Sequence, residues 1–235
     1  MDTENEVRCA VGVADACEIL AVATMFPTPE LAQALCEGGI QDDARACLED
    51  CGVSCERAAQ AVSVWDDFNG ADQRDALSQI RRGYSLLFVR QKDGVAVWPY
   101  ESAHFHRAEG KKGEPVLCRS PLTLAVEEAM KKENALPQDA RVEPCDSVWN
   151  EFGFMAQLYG RKAVALAEGN EEMSHAHGRA ARAFVEEHIL AWLPRFFDEV
   201  ARRSKGPDMD ALARSYYQGL SAYAREVLLL LEKEE

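Results

Sequence analysis

Along almost the whole chain, apolar residues return every third or fourth position, the spacing of a helix that buries one face. An apolar run predicts a first helix over residues 4–26, stopped by Phe26-Pro27-Thr28-Pro29. Shorter helices follow over 30–37 and 41–50. Ser54 is placed to cap a helix running to Phe68, with Glu56 in its first turn, and Asp72 to cap the next. That next helix carries Leu77, Ile80, Tyr84 and Leu87 on one face. The pattern then breaks over residues 88–120, where Gly94, Pro99, Gly110, Gly113 and Pro115 predict a long loop. Helical order resumes from Pro121 to about Asn134 and again from Pro144 to about Glu168. Residues 171–204 read as a helix that Pro194 kinks or splits. Pro207-Asp208 opens a last helix whose stripe is Met209, Leu212, Tyr216, Leu220, Tyr223, Val227 and Leu230. Strand alternation is almost absent, and Val95–Trp98 is the best candidate for it.

The helix from Pro144 has two unlike sides. Val148, Phe152, Met155 and Tyr159 form an apolar stripe, while Asp146, Asn150, Gly153, Gln157 and Gly160 repeat two residues earlier. That offset is about 200° of rotation, so the small, polar set lies nearly opposite. Such a helix packs on a core with one side and lets another molecule approach the other. The chain is therefore expected to be all-α, a single domain of about nine to eleven helices. Its N-terminal half is 1–87, its hinge-like loop 88–120, and its C-terminal half 121–235. The loop would allow either a monomer or a domain-swapped homodimer.

Composition narrows the function classes. The net charge of −14 argues against nucleic acid, whose phosphates require a basic face. No run of 18 apolar residues exists, so no membrane helix is expected. The acidic start Met1–Arg8 is unlike a secretory leader, which predicts a cytoplasmic protein with reduced thiols. Six of the eight cysteines fall in the first quarter. Cys47, Cys51 and Cys55 would line one face if a helix ran through Gly52. They read either as small apolar residues or as part of a metal or cluster site lacking its second half.

Enzyme motifs are missing. The sequence has no Gly-x-Ser-x-Gly elbow, no phosphate loop of the Gly-x-x-x-x-Gly-Lys-[Ser/Thr] type and no Gly-x-Gly-x-x-Gly. His175 and His177, two apart on a helix, point in different directions. His104 and His106 lie near the predicted loop, where they could converge. A more coherent set is aromatic and acidic: Trp98-Pro99-Tyr100-Glu101-Ser102, then Phe184, His188 and Trp192 at steps of four. Exposed aromatics beside carboxylates suit a groove for an apolar, positively charged peptide.

These blocks, in this order, resemble the TorD/DmsD/NarJ family of redox-enzyme maturation chaperones. The family pattern is Tyr-x-x-Leu-Phe, Pro-Tyr-Glu-Ser, Glu-Pro-x-Asp-His leading into Glu-Leu-x-Phe-Met, and Phe-x-x-x-His-Leu-x-x-Trp. The matching residues are Tyr84, Leu87 and Phe88; Pro99 to Ser102; Glu143, Pro144 and Asp146; Glu151, Phe154 and Met155; and Phe184, His188 and Trp192. The match covers roughly residues 80–200. Ser147 stands where the family has histidine, and Phe152 where leucine is common.

The resemblance implies a non-enzymatic chaperone for a molybdopterin oxidoreductase of the dimethyl-sulfoxide or trimethylamine-oxide reductase kind. It would hold the apoenzyme, or its twin-arginine leader, and delay export until the cofactor is in place. A NarJ-like chaperone for a non-exported reductase is the nearest alternative. The implied contact residues are Trp98, Pro99, Tyr100, Glu101, Ser102, Glu143, Pro144, Asp146, Ser147, Asn150, Phe154, His188 and Trp192. Some relatives bind guanine nucleotides weakly; the loss of the histidine at Ser147 weighs against that here, and no cofactor is expected.

Overall fold

The computed structural model describes residues 3–89, 91–92, 94–138, 140 and 142–233. Among them there is no strand, and the chain is built from α1 (Thr3–Thr24), α2 (Pro29–Glu37), α3 (Gly39–Asp50), α4 (Cys55–Val62), α5 (Gln73–Phe88), α6 (Glu101–Ala108), α7 (Pro121–Lys132), α8 (Val148–Ala167), α9 (Glu171–Phe184), α10 (Leu190–Arg203) and α11 (Ala211–Lys233). The expected all-α class holds. None of the described helices is long and apolar enough to cross a membrane.

Local chemistry sets most of the boundaries. Thr28 accepts from Leu31 N and Asp72 from Arg74 N and Asp75 N, so each caps the helix that follows it. Ser54 makes no such bond; α4 ends at Val62 and tightens into a 3₁₀ turn over Ser63–Phe68. Gly52, at φ 79, ends any continuation of α3. Cys47, Cys51 and Cys55 therefore do not share a helix face. Cys47 is buried on α3, Cys51 follows that helix, and Cys55 opens α4 exposed. The described residues hold no group of three or more His, Cys, Asp or Glu arranged for a metal ion.

Other expectations shift as well. The 88–120 segment is not one loop, because α6 lies inside it and begins at Glu101. His104 and His106 thus sit two apart on a helix and cannot converge. Helix α8 starts at Val148 rather than near Pro144, because Ser147 Oγ accepts from Asn150 N and fixes the first turn there. Residues 171–203 run without a break; the distortion lies upstream of Pro194, in a π turn over Val185–Ile189. The last helix begins at Ala211, a few residues beyond Pro207.

One apolar core joins the two halves. Helix α1 packs along α8 more extensively than any other pair of elements meets, and α9 covers another side of α8. Ala10, Val13, Ala14, Ala16, Cys17, Leu20 and Ala23 bury the inner side of α1, and their small size lets the helices approach closely. Val148, Phe152, Met155 and Tyr159 are all buried, as the stripe predicted. On the opposite side Gly153 and Gly160 face open space. Helix α11 closes the core against α5, α10 and the 3₁₀ turn. Trp65 is fully buried there, and its Nε1 donates to Tyr216 O at 3.1 Å.

Candidate peptide-binding surface and the acids beneath it

Two segments more than forty residues apart meet where α6 and α8 begin. Tyr100 and Ser147 form an antiparallel bridge. Around it, Glu101 N donates to Asp146 O at 2.9 Å and Val148 N to Pro99 O at 3.0 Å. Asp146 Oδ2 accepts from Ser102 N at 2.8 Å, in the first turn of α6. Tyr100 precedes that helix and makes no side-chain cap. Asp146 therefore caps α6 from a distant part of the chain, meeting the positive end of the helix with its carboxylate.

Behind this junction lie three buried acids. Glu101 is 1% exposed, and its Oε2 lies 2.9 Å from Nδ1 of the buried His188. Glu151 is fully buried, and its Oε2 accepts from Trp192 Nε1 at 2.9 Å. Because His188 sits in the π turn and Trp192 one turn later in α10, this helix supplies partners to acids on both α6 and α8. Burial raises the pKa of Glu101, which His188 opposes. Burial raises Glu151 well above the usual range, and the neighbouring charges of Glu101 and Asp146 add to it. Asp146 is raised by burial as well, against hydrogen bonds from Ser102 and Thr123.

The sequence motifs thus come together in space, but most are not at the surface. Pro99, Glu101, Ser102, Pro144, Asp146, Ser147, Phe154, His188 and Trp192 are all buried. Glu101 and Asp146 do not stand at the surface beside the aromatics: Glu101 is buried against His188 and Asp146 on Ser102 N, protein groups that take the place of water. Phe154 and Phe184 pack edge to face at 4.8 Å.

What reaches solvent is a smaller patch over the junction. Tyr100, Glu143 and Asn150 are partly exposed. Tyr100 OH donates to a Glu143 carboxylate oxygen at 3.1 Å, and Asn150 Nδ2 donates to Pro144 O at 3.0 Å. The Tyr100 ring meets Trp149 edge to face at 5.8 Å. Tyr84 adjoins this patch: burial pushes its pKa up to about 12, with a contribution from the Glu143 charge. Tyr84 also meets the half-exposed Phe26 at 5.2 Å. The arrangement offers aromatic faces and one carboxylate to a cationic, apolar segment.

Sequence reading missed Trp149 as part of this patch, although it directly follows the buried Val148 and so turns to the side of α8. Trp98 departs from the group: its indole lines a separate cavity with His104 and Arg195.

A family model described as the nitrate reductase delta subunit matches residues 54–198, which include every motif block above. The chaperone protein TorD of Vibrio atlanticus (strain LGP32) is 27% identical over 135 residues, covering 57% of this chain and 58% of that protein. The chain thus matches little more than half the length of this curated relative. The family-model match extends over more than half of the chain, and the chain belongs to the nitrate reductase delta subunit family, a family of NarJ/TorD-type chaperones rather than enzymes.

Proposed function

We propose that this protein is a cytoplasmic maturation chaperone for a molybdopterin oxidoreductase of the dimethyl-sulfoxide or trimethylamine-oxide reductase kind. It holds the apoenzyme's twin-arginine leader and delays export until the cofactor is inserted. Family membership and the likeness to a TorD chaperone support the class. The observation that carries the leader reading is the Tyr100–Glu143 pair at the surface, flanked by Trp149 and Tyr84. A twin-arginine leader has a cationic start and an apolar middle. The cation meets Glu143, and the apolar run lies over the aromatic rings. The buried acids act through these surface groups, by fixing where α6 and α8 begin.

The test is calorimetric titration of the reduced protein with twin-arginine leader peptides and with the same peptides carrying Lys-Lys. Saturable binding that weakens about tenfold in Glu143→Gln and in Trp149→Ala supports the reading. Equal affinity in wild type and both variants overturns it. Membership of the nitrate reductase delta subunit family favours a second reading: a NarJ-like chaperone for a non-exported reductase. That chaperone would bind the mature N-terminus of its client in place of a cleavable leader.

A further inference from the structure

The Tyr100–Glu143 patch continues through Tyr84 to the end of α1. Phe26 follows that helix and is 50% exposed, yet it is firmly held. Its ring meets Tyr84 edge to face at 5.2 Å. The Arg81 guanidinium covers the ring at 5.0 Å from its centre, and Arg81 Nε donates to Pro27 O at 2.9 Å. Tyr84 packs in turn against Phe88 at 5.0 Å. An aromatic side chain that is half in water and already fixed in place suits a binding surface, because it has little freedom left to lose on contact.

Two neighbours widen this surface. Val22 and Met25, each 47% exposed, share the last turn at the end of α1, where Met25 N donates to Val22 O at 3.3 Å. Single exposed apolar side chains are ordinary; a group of them within five residues, beside an aromatic patch, marks an interaction site.

The charges along the strip give it a direction. Glu143 stands at one end, accepting from Tyr100 and acting on Tyr84. Arg81 stands at the other end, over Phe26. Glu30, which feels the Arg81 charge, is engaged with its own backbone N–H and with Thr28 at the start of α2. A cation is therefore drawn to the Glu143 end and opposed at the Phe26 end, where apolar side chains meet no such penalty.

We propose that the apolar middle of the client segment docks on Phe26, Met25 and Val22, with its cationic start at Glu143 and Tyr84 between the two. The inference rests on the leader reading above and adds to it the residues that the apolar run covers and the direction in which it lies. Arg81 disfavours the reversed orientation, which would bring the client's cation against its own charge.

The experiment is a calorimetric cycle with the full-length protein and two peptides. One is a twin-arginine leader; the other is the same leader with two apolar residues of its middle changed to serine. Phe26→Ala is expected to weaken the first about tenfold and the second less than about twofold, because the group that meets the ring is already gone. Glu143→Gln is expected to weaken both alike. Met25→Gln, at an exposed position, is expected to repeat the selectivity of Phe26→Ala at about threefold, and it decides the matter if Phe26→Ala does not fold. Equal losses for the two peptides would mean that these residues act only on the fold, and the inference fails. It fails also if both variants bind the leader as wild type does while Glu143→Gln weakens it; the leader reading then stands without it. If no leader binds the wild-type chain, the two fall together.

Discussion

His188 meets Glu101 at 2.9 Å, joining the start of α6 to the π turn between α9 and α10 across 87 positions of sequence. Both side chains are buried, so each is the other's substitute for water. His188→Leu leaves the Glu101 carboxylate buried without this partner and is expected to destabilise the protein by about 3–5 kcal/mol. Glu101→Gln keeps an amide oxygen within reach of the imidazole and is expected to cost less. Urea denaturation of the two variants checks the order. The pair is unimportant to stability if both behave like wild type.

Acidity offers a second test. Glu151 has a native pKa well above 4.5, so the folded chain keeps its proton at pH values where the unfolded chain has lost it. Stability therefore falls as pH rises from 4.5 through the raised native value, and is recovered on acidification. Glu101 and Asp146 act in the same direction. Glu151→Gln keeps an acceptor for Trp192 Nε1 and has nothing to titrate. Its melting temperature, measured against wild type at several pH values, is expected to gain on wild type as pH increases. A constant difference would show that Glu151 is not the source.

Two glycines of similar helical setting are expected to respond with opposite signs. A Cβ on Gly219 of α11 would lie 2.5 Å from Trp65 Cδ1 and Nε1, whereas one on Gly153 of α8 meets nothing within 4 Å. Gly219→Ala must move the buried indole and is expected to cost about 1–3 kcal/mol. Gly153→Ala removes the backbone freedom of glycine without a clash and is expected to gain about 0.5–1 kcal/mol. Thermal melts of both variants decide the matter.

The thiols should divide by environment. Cys55 and Cys118 are exposed, whereas Cys17, Cys47 and Cys145 are buried. Burial, together with Asp15, Asp43 and Asp50, pushes the Cys47 thiol up to about 12. A thiolate is the reactive form, so Cys47 is protected twice over. Brief alkylation of the native protein followed by peptide mapping is expected to label Cys55 and Cys118 first. Early labelling of Cys47 would contradict the packing of α3.

Most of the helices were legible in the chain because their boundaries are set locally. Asp72 caps α5 with its own side chain, and the stripe of α8 is buried as its spacing predicted. Helix α6 was not legible, because at eight residues it is too short to hold itself and its cap, Asp146, is 44 residues away. The π turn escaped notice for a related reason. Pro194 announces a disturbance, but packing places it several residues earlier, around His188. The motif residues do come together in space, but periodicity cannot separate an exposed acid from a buried one with an internal partner. The burial of Glu101 and Asp146 was therefore not legible. The cavity at Trp98 had no sequence signal, since His104, Arg107 and Arg195 become neighbours only when α6 and α10 dock.

The cap that Asp146 supplies to α6 also has a meaning in time. A chain emerging from the ribosome at about 5–20 residues per second presents Glu101–Ala108 seconds before Asp146 exists to hold their first turn. Until then this stretch lacks that cap, and an uncapped helix of eight residues is marginal on its own. Release of residues 143–148 completes the two helix starts together, so the surface around Tyr100 takes shape in a single late step. A nascent chain that ends before residue 143 would carry its whole N-terminal half and still lack the Glu143 partner of Tyr100.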